Sequence, residues 1–402
     1  MYKLPKKVLF CKKCVYSNIK PTTVPEWTHD PDRKGAKYLK IANDGICAAC
    51  KNIEKKNKID WTNRETKLLQ LLDKHRNKHG EYDCIVPGSG GKDSVFASHI
   101  LKYKYGMNPL TVTWQPVLYT DYGYKNYINW TDNAGLDNYS VRPGGKVSKA
   151  VTREATLNLF HPFQTFILGQ KNLAPKIAAK LKIPLIFYGE SETEYGNPLA
   201  ENNESLSSKN YYVRNNKDQI LLGGKKLNYY KEKYNLDSRE FEIYLPINDK
   251  DCNQNKIEVH YLGYYLQWVP QEAFYYSVEN SQFLARPFRT AGTYSKYSGI
   301  DDKMDDLHFY TTFIKFGIGR ATYDAAQEIR NKHLTREDAK LLVKKYDGEF
   351  PERYFSDILK FLNIKEENFF KIQNDFRHSR IWKKIGNKYF LRHTVNKDGT
   401  DD

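Results

Sequence analysis

The chain is 402 residues long, with a formal charge of +16, and is 40% hydrophobic and 14% aromatic, a composition that excludes an intrinsically disordered protein. It exceeds the length at which one hydrophobic core stops growing, so about two or three structural units are expected. No run of about 18 apolar residues occurs and the opening residues carry no apolar signal segment, so a cytoplasmic protein without a membrane partner is expected. The basic balance suits small polyanions such as ATP and nucleotide sugars as well as nucleic acid, and part of it is a solvated lysine run from Lys51 to Lys58; specific nucleic-acid binding is the lesser expectation.

Four of the six cysteines form two C-x2-C knuckles, Cys11 with Cys14 and Cys47 with Cys50, 32 residues apart. Paired thiolates on tight turns suit tetrahedral zinc, and four protein ligands close such a site against water, which marks it as structural. Disulfides are not expected in a reducing compartment, and an iron–sulfur cluster is the alternative occupant. Pro21, Pro25, Pro31 and Gly35 mark the intervening segment as irregular loop, with His29 a surface or packing residue. Trp61 to Lys78 has amphipathic spacing, with Leu68, Leu69, Leu71 and Leu72 inward and Gly80 as its stop.

An apolar run at Cys84–Val86 then enters Pro87-Gly88-Ser89-Gly90-Gly91, and Val95 to Leu101 follows with helical spacing. Strand, glycine turn and helix together make an anion site, because loop N–H groups and the helix dipole converge on one point. The Walker loop is excluded, since Val86 stands where its first glycine is needed and Asp93 where Ser or Thr must follow the lysine. The dinucleotide fingerprint is excluded by Asp93 at its third glycine and Thr113 where an acid belongs. What remains, Ser89-Gly90-Gly91-Lys92-Asp93-Ser94, resembles the S-G-G-x-D-S signature of the PP-loop ATP pyrophosphatases, which split ATP between its α and β phosphates.

Further along, Leu110–Trp114, Asn138–Val141 and Pro184–Tyr188 suit strands, and Tyr124–Ala134, Val147–Leu159 and Lys171–Leu181 suit helices. The alternation predicts a doubly wound, mostly parallel α/β sheet. Ligands collect beyond the carboxyl ends of such strands, where the glycine loop, the segment after Trp114 and Gly189-Glu190 converge. Asp93 and Glu190 are the acids best placed to hold Mg²⁺, a hard cation that takes carboxylate oxygen. Residues 196–245 are polar and aperiodic, as in an insertion or lid, and Tyr261 to Trp268 is an aromatic stretch of core type. Cys84 suits a buried strand position, whereas Cys252 has the setting of an exposed thiol. In the last third, Arg320 follows Gly317 and Gly319 and suits a bidentate phosphate clamp or a pair with a nearby acid. Thr335 to Asp338 carries a capping-box pattern, and the C-terminal region is expected to be helical.

Nearly the whole chain resembles the N-acetyl-sugar amidotransferases of bacterial surface-polysaccharide and flagellin-sugar pathways. The resemblance rests on both cysteine knuckles, the Ser89–Ser94 loop, His161-Pro162-Phe163-Gln164-Thr165-Phe166-Ile167-Leu168-Gly169-Gln170, Ile186 to Glu190, and Lys315 to Asp324. It implies an ATP-dependent ligase of PP-loop (adenine nucleotide alpha hydrolase-like) fold that turns the acetamido group of an N-acetyl sugar, expected to be nucleotide-linked, into an acetamidino group. The expected organisation is a zinc module and connector at 1–58, an ATP-binding α/β unit at 59–195, an insertion or lid and substrate region at 196–290, and a helical region completing the site at 291–402. Lys92, Asp93 and Arg320 are the expected catalytic residues. ATP is expected on Ser89, Gly90, Gly91, Lys92, Asp93, Ser94, Trp114, Gly189 and Glu190, with Mg²⁺ on Asp93 and Glu190 and Zn²⁺ on Cys11, Cys14, Cys47 and Cys50. No glutaminase nucleophile is evident, since the chain starts Met1-Tyr2 and neither lone cysteine lies in a glycine-flanked turn, so the resemblance implies separate glutaminase and cyclase-like partners that supply ammonia. A tRNA-modifying PP-loop enzyme is the alternative, and its thiolation chemistry calls for a reactive cysteine near the loop.

Overall fold

The computed structural model describes residues 4–32, 37–77, 81–190, 192–196, 205–214 and 216–396. Helix α1 (Ala48–Lys56) grows directly out of the second cysteine knuckle, with Cys47 as its N-cap. Helix α2 (Trp61–His75) is capped by Asp60, whose carboxylate accepts the N–H of Asn63 at 3.0 Å. It buries Leu68 and Leu72 but leaves Leu69 exposed. A 3.6-residue period brings positions i and i+4 onto one stripe and carries i+1 out of it, so not all four leucines face inward as expected. Lys78 and Gly80 lie outside the described residues.

Strand β1 (Cys84–Pro87), α3 (Lys92–Tyr103), β2 (Pro109–Trp114), α4 (Asp121–Asp132), β3 (Asn138–Val141), α5 (Gly145–Leu159), α6 (Gln164–Leu181) and β4 (Leu185–Tyr188) follow the predicted alternation. The largest departure is α6, which starts at Gln164 rather than Lys171. Gly169 and Pro175 lie inside it, and residues of those types argue against a helix when only local preference is weighed; here Gly169 is the point at which the helix meets the sheet.

The chain continues through α7 (Leu227–Tyr234), α8 (Asp249–Gln254), β5 (Glu258–Tyr261), α9 (Leu262–Tyr265), α10 (Pro270–Ser281), α11 (Lys303–Phe316), α12 (Arg320–Arg330), α13 (Arg336–Tyr346), α14 (Glu352–Leu362), α15 (Glu366–Asp375), β6 (Trp382–Ile385) and β7 (Lys388–Leu391). Five strands form one parallel sheet in the order β3-β2-β1-β4-β5. Its faces are covered separately. Cys84, Val86, Leu185 and Phe187 point to the side of α2, α3 and α9, while Ile85, Ile186, Val112 and Trp114 join α5 and α6 in the main core. Alternation of side chains along each strand produces that division, and the fold is doubly wound as expected.

Three expectations change. The described part of 196–245 is no lid: Tyr212, Ile220, Leu222, Tyr230, Phe241 and Tyr244 are buried in the main core, their aromatic bulk outweighing the polar composition around them. Cys252 is buried rather than exposed. The C-terminal region is not wholly helical, since β6 and β7 pair antiparallel across the turn at Gly386 and Trp382 Nε1 donates to the carbonyl of Ile314 at 2.7 Å. Among the described residues no helix is long and apolar enough to cross a membrane.

Candidate active site

The strand order reverses direction between β1 and β4, and the loops leaving these neighbouring strands frame a crevice at their carboxyl ends. The first is the glycine loop. Gly88 has no room for a side chain, since a Cβ would fall 2.1 Å from that of Ser94, and Gly90 combines φ +85° with backbone of Tyr127 2.7 Å from where its Cβ would be. Gly91 caps α3, so Lys92, Asp93 and Ser94 form the helix's first turn. Ser94 Oγ donates to the Gly91 carbonyl at 2.9 Å, and Ser89 Oγ donates to Asp301 Oδ2 at 2.6 Å, tying the loop to the chain before α11.

The second loop, Gly189-Glu190, closes on the first. A Cβ on Gly189 would meet the Asp93 carbonyl oxygen at 2.3 Å, so only glycine allows that approach. Between the loops lies a cavity of about 170 Å³, lined by Gly88, Ser89, Gly91, Asp93, Ser94, Trp114, Gly189 and Glu190 among others. All the residues expected to hold ATP except Gly90 and Lys92 therefore line one space. Lys92 lines a second, larger cavity instead.

Asp93, Gln170, Lys171 and Glu190 line both this space and a neighbouring cavity of about 990 Å³, which also reaches Lys92, Lys315 and Arg320. Lys92 Nζ stands 2.5 Å from Asp93 Oδ2, and Trp268 Nε1 donates to the other oxygen, Oδ1, at 2.9 Å. Tyr195 lies in the same wall, its hydroxyl pushed well above the usual range by burial and by Glu190 and Asp93. Lys20 Nζ donates to the Tyr195 carbonyl at 3.0 Å, and burial, with Arg330 nearby, pushes its amine down to about 7.

Arg320 opens α12, whose N-terminus is held by Asp347: that carboxylate accepts the N–H of Gly319 at 3.0 Å and of Thr322 at 3.1 Å. The Arg320 guanidinium pairs with Asp324 at 3.1 Å and Asp305 at 3.5 Å while lining the large cavity. Burial works against its charge, but the two acids carry its pKa well above the ordinary range; burial pushes Asp305 up to about 6. Of the two roles expected for Arg320, pairing with an acid is the one observed.

The stretch His161–Gln170 acquires physical roles here. His161 and Phe163 line the large cavity, and Gln164 Nε2 donates to the Glu26 carbonyl at 2.9 Å while its Oε1 accepts the N–H of Gly223 at 2.8 Å. A Cβ on Gly169 would overlap the Trp114 ring at 1.9 Å. Gly169→Ala is accordingly expected to destabilise the chain by about 1–3 kcal/mol through overpacking; an unchanged denaturation midpoint would show that Trp114 can move aside. Asp305, His308, Tyr195 and Lys20 escaped the sequence reading, as each belongs to a segment with no motif of its own, and Trp268, read as part of an aromatic stretch of core type, also holds Asp93. His29 is neither a fifth ligand of the cysteines nor a mere surface group, for it lines the large cavity.

The four cysteines come together as one buried metal-binding cluster. Cys11 and Cys50 sulfurs are 3.9 Å apart and those of Cys14 and Cys47 3.7 Å, close to the edge of about 3.75 Å of a tetrahedron with 2.3 Å metal–sulfur bonds. Backbone N–H groups of Lys13 and Cys47 donate to Cys11 Sγ at 3.4 and 3.3 Å. The module is joined to the crevice through Lys56 at the end of α1, whose Nζ contacts Glu194 at 2.6 Å and the Trp268 carbonyl at 2.9 Å.

Residues 291–394, which supply Arg320, Lys315 and Asp305 to the large cavity, match the family model described as the C-terminal domain of WbpG-like LPS biosynthesis proteins. An uncharacterized protein of Methanocaldococcus jannaschii is 29% identical over 104 residues, which span 26% of this chain and 37% of that protein. Among solved structures, the U34-tRNA thiolase NcsA from Methanococcus maripaludis with its [4Fe-4S] cluster overlaps 78% of this chain and 88% of its own at 12% identity and a TM-score of 0.31. NMN synthetase from Francisella tularensis overlaps 49% of this chain and 96% of its own at 13% identity and a TM-score of 0.20. The segment similar to that C-terminal domain thus follows a doubly wound α/β unit and a four-cysteine cluster in one chain.

Proposed function

We propose that the chain is an ATP-dependent amidotransferase that adenylates the acetamido oxygen of an N-acetyl sugar, nucleotide-linked, and replaces that oxygen with ammonia, releasing AMP and pyrophosphate. The observation that carries the reading is the adjacency of two spaces: the glycine-loop cavity shares Asp93, Gln170, Lys171 and Glu190 with a cavity of about 990 Å³ walled partly by the WbpG-like segment. A nucleoside triphosphate and a sugar substrate can then meet at the first turn of α3. An amide oxygen is a poor leaving group, and transfer of AMP to it makes the carbon open to ammonia. Holding both partners aligned accounts for several kcal/mol, on the order of 7 or more for well-oriented reactants.

In this reading the loop N–H groups, the dipole of α3 and Lys92 bind the phosphates and take up charge on the departing pyrophosphate. Asp93 and Glu190 would hold Mg²⁺, which supplies charge neutralisation between the phosphates. Arg320, paired with Asp324 and Asp305, lends a fixed positive charge to the sugar side. The tetrahedral sulfur spacing supports zinc as the occupant of the cysteine site, because four thiolates on separate irons of a cluster would stand further apart. Separate glutaminase and cyclase-like partners would deliver the ammonia. Thiolation of tRNA would ask for a reactive thiol, whereas burial pushes the Cys84 and Cys252 thiols up and neither lines the cavities.

The test is incubation of the purified chain with ATP, Mg²⁺, ammonium and nucleotide-linked acetamido sugars, followed by mass measurement. Replacement of O by NH with one pyrophosphate per product is expected with ammonium salts and not with glutamine. Pyrophosphate release that depends on tRNA and ignores every sugar would overturn the reading.

A further inference from the structure

We propose that Glu26, His29 and His161 form a second metal site, for a first-row transition-metal dication, in the wall of the large cavity. One carboxylate oxygen and two imidazole nitrogens from these residues lie within 4.8 Å of one another. Glu26 Oε2 stands 3.4 Å from His29 Nδ1 and 3.3 Å from His161 Nε2. Charge-assisted hydrogen bonds between such groups close to about 2.7–2.9 Å, so these separations are long for that purpose. They equal the edge, about 3.3–3.4 Å, of a tetrahedron with metal–ligand bonds of about 2.0–2.1 Å.

The ligands are held from outside as well. Glu26 opens and His29 caps a single 3-10 turn, Glu26–Thr28, anchored by buried Trp27 and by the Gln164 side chain on the Glu26 carbonyl. His161 follows Phe160, which ends α5 in a left-handed conformation (φ 46°), and its N–H donates to the Ala155 carbonyl at 3.1 Å. The buried His161 ring stacks on that of His308, with centroids 5.0 Å apart. This stacking holds the plane of the His161 ring from behind.

Two imidazoles and one carboxylate suit Zn²⁺, Co²⁺ or Fe²⁺ better than Mg²⁺. All three residues line the cavity of about 990 Å³, so three protein ligands leave a coordination position facing it, the pattern of a working rather than a structural site. That position would accept an oxygen of a bound substrate. The site is separate from the four cysteines and does not depend on the amidotransferase reading.

Co²⁺ alone is the probe. The purified chain, its cysteine site first filled with Zn²⁺, is titrated with Co²⁺ and followed by visible absorption and by metal content after gel filtration. Wild type is expected to hold one more equivalent than His29→Gln or His161→Gln, with bands of nitrogen and oxygen ligation and no thiolate charge-transfer band. Melting curves should show both variants folded; if His161→Gln is not, the partly exposed His29 decides. Equal Co²⁺ content in wild type and folded His29→Gln would overturn the proposal.

Discussion

Lys92→Met is expected to cut ATP-dependent pyrophosphate release by roughly 10²–10³-fold in kcat, the effect of removing one preorganised electrostatic group, while the melting temperature stays nearly unchanged. Lys92 is the first residue of α3 and its Nζ is 5.6 Å from the centre of the Trp268 ring, so the ammonium is held in place before any nucleotide arrives. A charge fixed where pyrophosphate leaves stabilises the transition state more than the ground state. Methionine keeps the aliphatic stem and removes only the charge. Turnover within about threefold of wild type, with the sugar and ammonium saturating, would show that the loop N–H groups suffice and that Lys92 serves only to pair Asp93.

Cys47→Ser is expected to lower the melting temperature by on the order of 10 °C and to depress activity with it. Apparent binding free energies at four-ligand structural sites are about 10–16 kcal/mol, and about 1 kcal/mol moves the midpoint of a large domain by roughly 2–4 °C, so losing even a third of that energy produces such a shift. The damage should spread beyond the module. The cysteines pack against Ala325, Ala326 and Ala339 of α12 and α13, and Arg336 donates to the carbonyls of Cys14 and Cys11, each at 3.2 Å. Lys56 carries the connection on to Trp268 and so to Asp93. A strong chelator should reproduce the shift in wild type and add nothing to Cys47→Ser; a scan unmoved by both would refute a stabilising metal.

Both residues were legible because their chemistry is local. The strand, glycine turn and helix around Lys92 occupy eleven consecutive positions from Cys84 to Ser94, and each knuckle is a four-residue turn. By contrast, α6 was cut short because Gly169 and Pro175 weigh against a helix one residue at a time, whereas contact between Gly169 and Trp114 settles the matter across the sheet. Strand β5, just before the aromatic stretch, has no local signal because its partner, β4, lies far back in the chain. The buried tyrosines at 212, 230 and 244 passed for part of a polar insertion for the same reason.

The amino-acid sequence by itself determined the βαβ alternation, the anion-binding turn and the fourfold thiol ligand set, since each depends on spacing within a short window. Only the tertiary structure decided that Asp93 meets Gly189 and Trp268, that Arg320 is already shared by Asp305 and Asp324, and that Glu26, His29 and His161 converge on one wall. Apart from the i,i+4 pair of Arg320 with Asp324 and the pair of Glu26 with His29 on one turn, these meetings join residues far apart in the chain. Their energy comes from burial and geometry that no local window contains.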